Sequence, residues 1–322
     1  MSIYFFMINF WKKLKRPFFI LAPMADVTDS AFRQIILSCG RPDIFYTEFV
    51  SCDGLCSEKG KSKLMPHLTF KKNEHPIVAQ FFGANPENFY KCAKLAKKFG
   101  FDGIDINMGC PAGKIVKDDC GAGLIKNPGL VKEIIYETQR GAGGLPVSVK
   151  TRIGYNKIIT EEWISNLIEA KPAAIIIHGR TMKEMSNVPN HWDEIGKAAV
   201  LCRKAGIPII GNGDVASYEE GLNKAIQYGL DGIMVGRGIF SNPWFFNPSI
   251  EPSAKTPANK IKLVKKHVAL FIKLWGRDKH FDVMKKFFKI YISGFDGAKE
   301  LRVKLMSTKN PAQIKEILSH ID

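Results

Sequence analysis

The chain lacks a run of about 18 apolar residues, the least that spans a bilayer as a helix, so none of its 322 residues is expected to cross a membrane. The nearest approach is the start, MSIYFFMINFW, which meets Lys12, Lys13, Lys15 and Arg16 after its apolar part. A signal peptide carries those features in the opposite order. Residues 1–16 therefore read as a packed lead-in to a first strand, with no membrane partner. Cysteines number only seven and lie scattered at 39, 52, 56, 92, 110, 120 and 202. The count is odd, and Cys52 with Cys56 has no second Cys pair or spaced His to complete a zinc site. That excludes a disulfide scaffold and leaves a reducing, cytoplasmic setting without a metal as the expectation. Acidic residues are also scarce, 31 Asp+Glu against 47 Lys+Arg. The imbalance is uneven, because residues 251–322 hold 16 Lys+Arg and 7 Asp+Glu. Such density suits a polyanion, nucleic acid first, although lysines also serve simply to solvate helices.

What the chain does have is a repeated alternation. Eight short apolar runs begin near Pro17, Asp43, His75, Phe101, Pro146, Ala173, Ile207 and Gly232. Runs apolar on both faces read as parallel strands covered by helices. Between them lie stretches of helical periodicity, including Pro86 to Phe99, Gly129 to Arg140, Glu161 to Ala170 and Tyr218 to Tyr228. Eight βα units in roughly 230 residues predict a (β/α)8 barrel over residues 17–247. A doubly wound open sheet is the alternative, and the absence of G-x-G-x-x-G after the first run counts against its dinucleotide-binding form. Pro248, Pro252 and Pro257 then mark a linker. Residues 248–322 read as a basic helical domain, with Ile261, Val264, His267, Val268, Phe271 and Leu274 as one packing stripe and Phe287, Ile290 and Tyr291 opening a second.

The most informative stretch is Gly103 to Lys114, GIDINMGCPAGK. Asp105 and Asn107 fall on one face of a strand, and Cys110 sits on the tight turn beyond it. The stretch alone reads equally as a Gly-Pro turn with a buried thiol or as an acid presented to a ligand. The other strand ends carry polar or ligand-facing residues too: Met24, Glu48, Gln80, Lys150 and Arg152, His178 and Arg180, Asn212 and Asp214, and Arg237. Catalytic groups of a barrel come from those ends. GNGD at 211–214 and GRG at 236–238 put glycines where a backbone must approach a ligand closely, as in barrel phosphate sites.

The ordered segments LAPMADVTD, AQFFG, DINMGCP, KTRIGY, HGRT, GNGDV and GIMVGRG resemble the signature of the tRNA-dihydrouridine synthases, across essentially the whole chain. The resemblance implies an FMN-dependent barrel with a C-terminal helical, RNA-binding domain, with tRNA, not DNA, as partner and NADPH as the expected reductant, the choice between NADPH and NADH staying open. A cytoplasmic monomer is expected, with the oligomeric state open as well. By it Pro23, Met24 and Ala25 line the flavin, and Gln80 and Lys150 bond its ring system. His178, Asn212, Gly213, Asp214, Gly236 and Arg237 hold its phosphate end. Cys110 matches the catalytic thiol, and Asn107 and Arg152 match residues that hold the target uracil.

Reducing the uracil C5–C6 bond needs a hydride at C6, which a flavin carries, and a proton at C5. A thiol with a pKa near 8.5 is still protonated at neutral pH and suits that task. A base stacked in folded RNA must also be extruded, at a cost of a few kcal/mol, which gives the basic helical domain a use. The loop after Cys110, with Lys114, Lys117 and Lys126, reads either as a basic lid or as a solvated connection. Met182 departs from the basic residue many members carry after HGRT, and Asp118, Asp119 and Cys120 lie in the thiol loop, so the uridine position stays open. Two rivals remain at this stage. One is a small-molecule FMN barrel resembling dihydroorotate or dihydropyrimidine dehydrogenases; the other is an RNA-binding or RNA-folding protein with a vestigial flavin site.

Overall fold

The computed structural model describes residues 9–276 and 278–321; the first half of the expected lead-in, residues 1–8, lies outside that range. Eight strands form one all-parallel sheet: β1 (Phe18–Leu21), β2 (Phe45–Ser51), β3 (Ile77–Phe82), β4 (Gly103–Met108), β5 (Val147–Arg152), β6 (Ile175–His178), β7 (Ile209–Asn212) and β8 (Gly232–Val235). Each pairs with its sequence neighbour, β8 returns to β1, and a bridge between Ile20 and Ile44 closes the ring. All eight apolar runs therefore become strands of the expected (β/α)8 barrel. The helices Pro86–Phe99 and Tyr218–Tyr228 take the predicted bounds, while Pro128–Ala142 and Thr160–Glu169 differ by one or two residues at their ends.

Two apolar layers follow from strand alternation. Outward residues such as Phe19, Leu21, Phe45, Ile77, Ile104 and Ile177 pack beneath the helices. Inward residues Phe18, Ile20, Tyr46, Val78, Ile176, Ile210 and Met234 fill the barrel axis. Trp11, 1% exposed, joins that inner cluster from the short helical turn Phe10–Lys12 and stacks on Phe10 at 4.9 Å between ring centroids. The described part of the lead-in thus plugs the N-terminal end of the barrel.

After the barrel come helices Pro257–Trp275, Lys285–Tyr291, Ala298–Met306 and Pro311–Ser319. The predicted stripe is buried at Ile261, Val264, His267, Val268 and Phe271, is half-buried at Leu274 and ends on buried Trp275. It packs against the barrel as well as within the bundle. Phe32, on the first barrel helix Ser30–Cys39, meets Phe287 at 5.2 Å and His267 at 5.7 Å between rings. The Trp275 indole donates to Asp29 at 2.7 Å, and Asp29 also caps the helix that carries Phe32. Near it, fully buried Arg33 donates to Glu74 and to the Thr28 and Thr69 carbonyls, each at 2.6 Å. That fully bonded pair ties the β2–β3 connection to the first helix, where losing one partner would strand a buried charge.

His267 is fully buried, its Nδ1 bonded to the Tyr291 hydroxyl at 2.9 Å and its Nε2 without a partner among the described residues. Burial, opposed by Asp29, pushes it down to about 4 from 6.5. Below pH 6.5 the unfolded chain takes up a proton that the folded chain refuses until about pH 4, so stability falls through that window. Urea unfolding of wild type and His267→Leu at pH 7 and pH 5 should show the wild type losing roughly 2 kcal/mol more than the variant on acidification.

Candidate active site

The parallel register sets the C-terminal ends of the central strands at one level. Gln80 pairs with Asp105, Asn107 with Lys150, Arg152 with His178, and His178 with Asn212. The side chains alternate, so these polar groups all enter the barrel mouth, above the apolar axis. A cavity of about 200 Å³ opens there, lined by Pro23, Met24, Lys150, Arg152, His178, Asn212, Gly213, Asp214, Gly236 and Arg237 among others. Ten of the expected site residues therefore converge. Ala25, Gln80, Asn107 and Cys110 do not line it. Ala25 is exposed, Gln80 and Asn107 are buried behind the cavity, and Cys110 is half-buried one residue beyond Gly109, which does line it.

Four bonds connect the last group. The Gln80 amide donates to Asp105 Oδ2 at 2.7 Å and accepts from Asn107 Nδ2 at 3.0 Å. Asn107 Oδ1 accepts the backbone N–H of Gly109 at 3.1 Å and of Cys110 at 2.9 Å. The turn carrying the thiol is thus held by an asparagine of its own strand. Gly121 closes the turn from the other side with φ +56°, where a Cβ would stand 2.8 Å from the Cys110 carbonyl oxygen. Only glycine meets both demands. Burial raises the Cys110 thiol above its ordinary value of 9.0, against an Ala112 backbone bond and the charges of Arg152 and Lys150. It is a protonated thiol at neutral pH. Cys120, by contrast, bonds the Asp118 carbonyl at 3.2 Å and is 5% exposed.

The cations of the mouth are held differently. Lys150 Nζ donates to Asn212 Oδ1 at 3.0 Å, and the Asn212 amide donates to the Met234 carbonyl at 2.8 Å. Burial and the charge of Arg152 bring Lys150 down to about 8. His178 is pushed well below 6.5 by burial and by Arg152, Lys150, Arg180 and Arg237, so its imidazole is neutral. Its Nδ1 is buried with no partner among the described residues. Arg152 gives three bonds to carbonyls, to Gly109 at 2.7 Å, Thr181 at 3.0 Å and Met185 at 3.1 Å, which ties the thiol turn to the loop after β6. Asp214, at φ +46°, carries a two-pronged bond from Arg180 and a 3.3 Å contact from Arg237.

Two features of this rim are not legible from the sequence. Arg180 is visible at a strand end, yet nothing in one dimension pairs it with Asp214. Asn190 has both amide atoms buried without partners among the described residues and packs where a Cβ on Gly213 would come within 2.1 Å of it. No local signal marks it. Glu48, a rim residue by position, is 2% exposed and accepts the Asp26 N–H while pairing with His67 at 2.9 Å. Lys126 of the thiol loop is bonded to Asp119 at 2.6 Å, and Lys114 and Lys117 are on the short helix Gly113–Lys117.

A barrel mouth that sets a depressed lysine and a neutral imidazole around one cavity, with a protonated thiol beside it, has the perturbed groups typical of an active site. Comparison with known proteins says of which kind: the family model described as "Dihydrouridine synthase (Dus)" matches residues 20–321, and the chain belongs to that oxidoreductase family. It is 43% identical over 320 residues to a "Probable tRNA-dihydrouridine synthase" of Staphylococcus aureus strain Mu50, covering 98% of this chain and 96% of that one. It is 41% identical over 319 residues to "Probable tRNA-dihydrouridine synthase 2" of Bacillus subtilis strain 168, covering 98% and 97%.

Peptide-resolved alkylation by iodoacetamide tests the thiol. Cys110 should label slowly at pH 7.5, its rate climbing with pH and not levelling off by pH 9, whereas a plateau beginning near pH 7 would mark a thiolate and contradict the buried-acid geometry.

Proposed function

We propose that this protein reduces a uridine of tRNA to 5,6-dihydrouridine, with FMN as cofactor and NADPH as reductant. The observation that carries the reading is the Cys110 turn, where a thiol kept protonated by burial is fixed by Asn107 beside the cationic cavity. Family membership and the printed names of the relatives support the same substrate.

The cavity residues fit a flavin mononucleotide in kind. His178 offers a buried, unpartnered ring nitrogen, and Lys150 a desolvated ammonium. A Cβ at Gly236 would project into the cavity, meeting only Ala22 and Met24 at 3.8 Å, so glycine leaves room there for a bound group. FMN, when bound, supplies the hydride for C6. Cys110 donates the proton to C5, and the turn bonds from Asn107 keep its sulfur from drifting off the base. Lys150 serves the ring system and offsets negative charge there, whereas Gln80, expected beside it, is committed behind the cavity to Asp105 and Asn107. Arg180 and Arg237, aligned by Asp214, face the phosphate end together with His178, Asn212 and Gly213. The Asp214 carboxylate itself is turned to the arginines, so its part is to orient them. Arg152 braces the substrate side through its three carbonyl bonds and presents its remaining donor edge to the uracil.

Residues 248–322 act as the RNA-binding part of a cytoplasmic monomer. A second cavity of about 730 Å³ lies between the loop after β8 and the C-terminal helices, lined by Arg237, Lys286, Lys289 and Arg302 with Phe240 and Phe287. It shares Arg237 with the first cavity, which suits a polyanion crossing from the helices to the mouth. No helix among the described residues is long and apolar enough to cross a membrane.

Mass spectrometry of unmodified tRNA incubated with the flavin-loaded protein and NADPH should show dihydrouridine at a defined position. Cys110→Ala should slow turnover by roughly 10² to 10⁴ with flavin still bound; full activity would remove Cys110 as the acid. Protein that is colourless and takes up no FMN would sink the reading. Replacing Lys289 and Arg302 by alanine should lower tRNA affinity and flatten its salt dependence, by about one unit of slope for each phosphate no longer bound.

A further inference from the structure

Taking uracil reduction at this rim as the reaction proposed above, we infer that Asp105 is a positioning residue: its carboxylate sets the direction of the Gln80 and Asn107 amides and through them holds the Cys110 turn. Asp105 is fully buried in the barrel wall and does not line the cavity. It has no place in the chemistry by contact, and a buried carboxylate without a function is an expensive core residue.

Hydrogen-bond polarity sets the direction of both amides. A primary amide presents an acceptor on one side and a donor on the other, and a half-turn exchanges them. Gln80 and Asn107 stand in series, so flipping one forces the other to flip. What selects one direction is the pair of ends. At one end Asp105 can only accept when ionised; it takes the Ser148 hydroxyl at 2.6 Å on Oδ1 and the Gln80 amide at 2.7 Å on Oδ2. At the other end the backbone N–H groups of Gly109 and Cys110 can only donate, and both go to Asn107 Oδ1. Only one assignment of the two amides satisfies acceptor, series and donors together. With the opposite assignment, Asn107 would turn its NH₂ toward two backbone N–H groups, and the turn would lose the bonds that hold it.

The site favours the carboxylate role. Burial raises Asp105 to about 6, opposed by the Ser148 and Gln80 bonds and by Lys150, so the group is ionised at neutral pH and still acceptor-only. Register makes the chain continuous: Gln80 faces Asp105 across the β3–β4 ladder, and Asp105 faces Ser148 across β4–β5. The thiol turn at the end of β4 is thereby coupled to both neighbouring strands, β3 and β5, through hydrogen bonds alone.

The test is an exchange of the two groups. Gln80→Glu puts an acceptor against the Asp105 acceptor, and two carboxyls at that spacing share one proton. Its turnover, normalised to wild type, should be at least about tenfold lower at pH 8 than at pH 6, where the shared proton restores a donor. The double variant Gln80→Glu with Asp105→Asn reverses the first bond but leaves an acceptor facing Asn107, so it should regain most of the pH 8 loss relative to Gln80→Glu alone. Asp105→Leu, which deletes the anchor, should lower kcat about tenfold or more while flavin stays bound. Peptide-resolved alkylation of Cys110 at pH 8, which needs neither RNA nor turnover, should differ from wild type about threefold or more in Gln80→Glu and return toward it in the exchange. A Gln80→Glu profile that tracks wild type, an exchange no better than the single variant, or an unchanged labelling rate would overturn the positioning role. Altered labelling in a protein whose wild type forms no dihydrouridine would instead overturn the reaction and leave the positioning role standing.

Discussion

Strand register is the constraint on which the site depends. In a closed parallel barrel, slipping one strand by a single residue turns its whole inward set outward. Asn107 beside Lys150, and Arg152 beside His178 beside Asn212, is a single alignment repeated across successive ladders. Every polar group at the mouth sits on the apolar axis of Phe18, Ile20, Val78, Ile176, Ile210 and Met234, which has no slack for a slip. The chemistry of the rim is thus secured by the packing below it.

The charges at the mouth are arranged so that each cation is held by a neutral or acidic partner without being used up. Asn212 holds Lys150, carbonyls hold Arg152, and Asp214 holds Arg180. Burial first, and then these cations, keep His178 neutral, and the cations give the mouth a positive lining. In the open, such a field would draw a thiol toward its thiolate. At Cys110 the burial of the sulfur outweighs it, and that balance keeps the thiol protonated there.

Much of this is legible in the sequence because it is local or periodic. Eight apolar runs, the two-residue rule that puts Asp105, Asn107, Lys150 and Arg152 inward, and the glycines of 211–214 and 236–238 all survive folding unchanged. The stripe through His267 has the periodicity of a bundle face, but the folded chain shares it with Phe32 of the barrel, a contact between distant parts of the chain. The same distance hides the pairing of Arg180 with Asp214 and the packing of Asn190 on Gly213. Asp105 is the clearest case. Its inward direction is evident, but its use depends on Gln80 from a neighbouring strand, and no spacing rule within one strand reveals a partner across a ladder.

The tryptophan plug at the far end of the barrel has a consequence for traffic. Among the described residues, Trp11 and the filled axis close the N-terminal end of the barrel, so Lys150 is reached from the mouth. Whatever is turned over there enters and leaves by the same opening, past any group that stays bound beneath it.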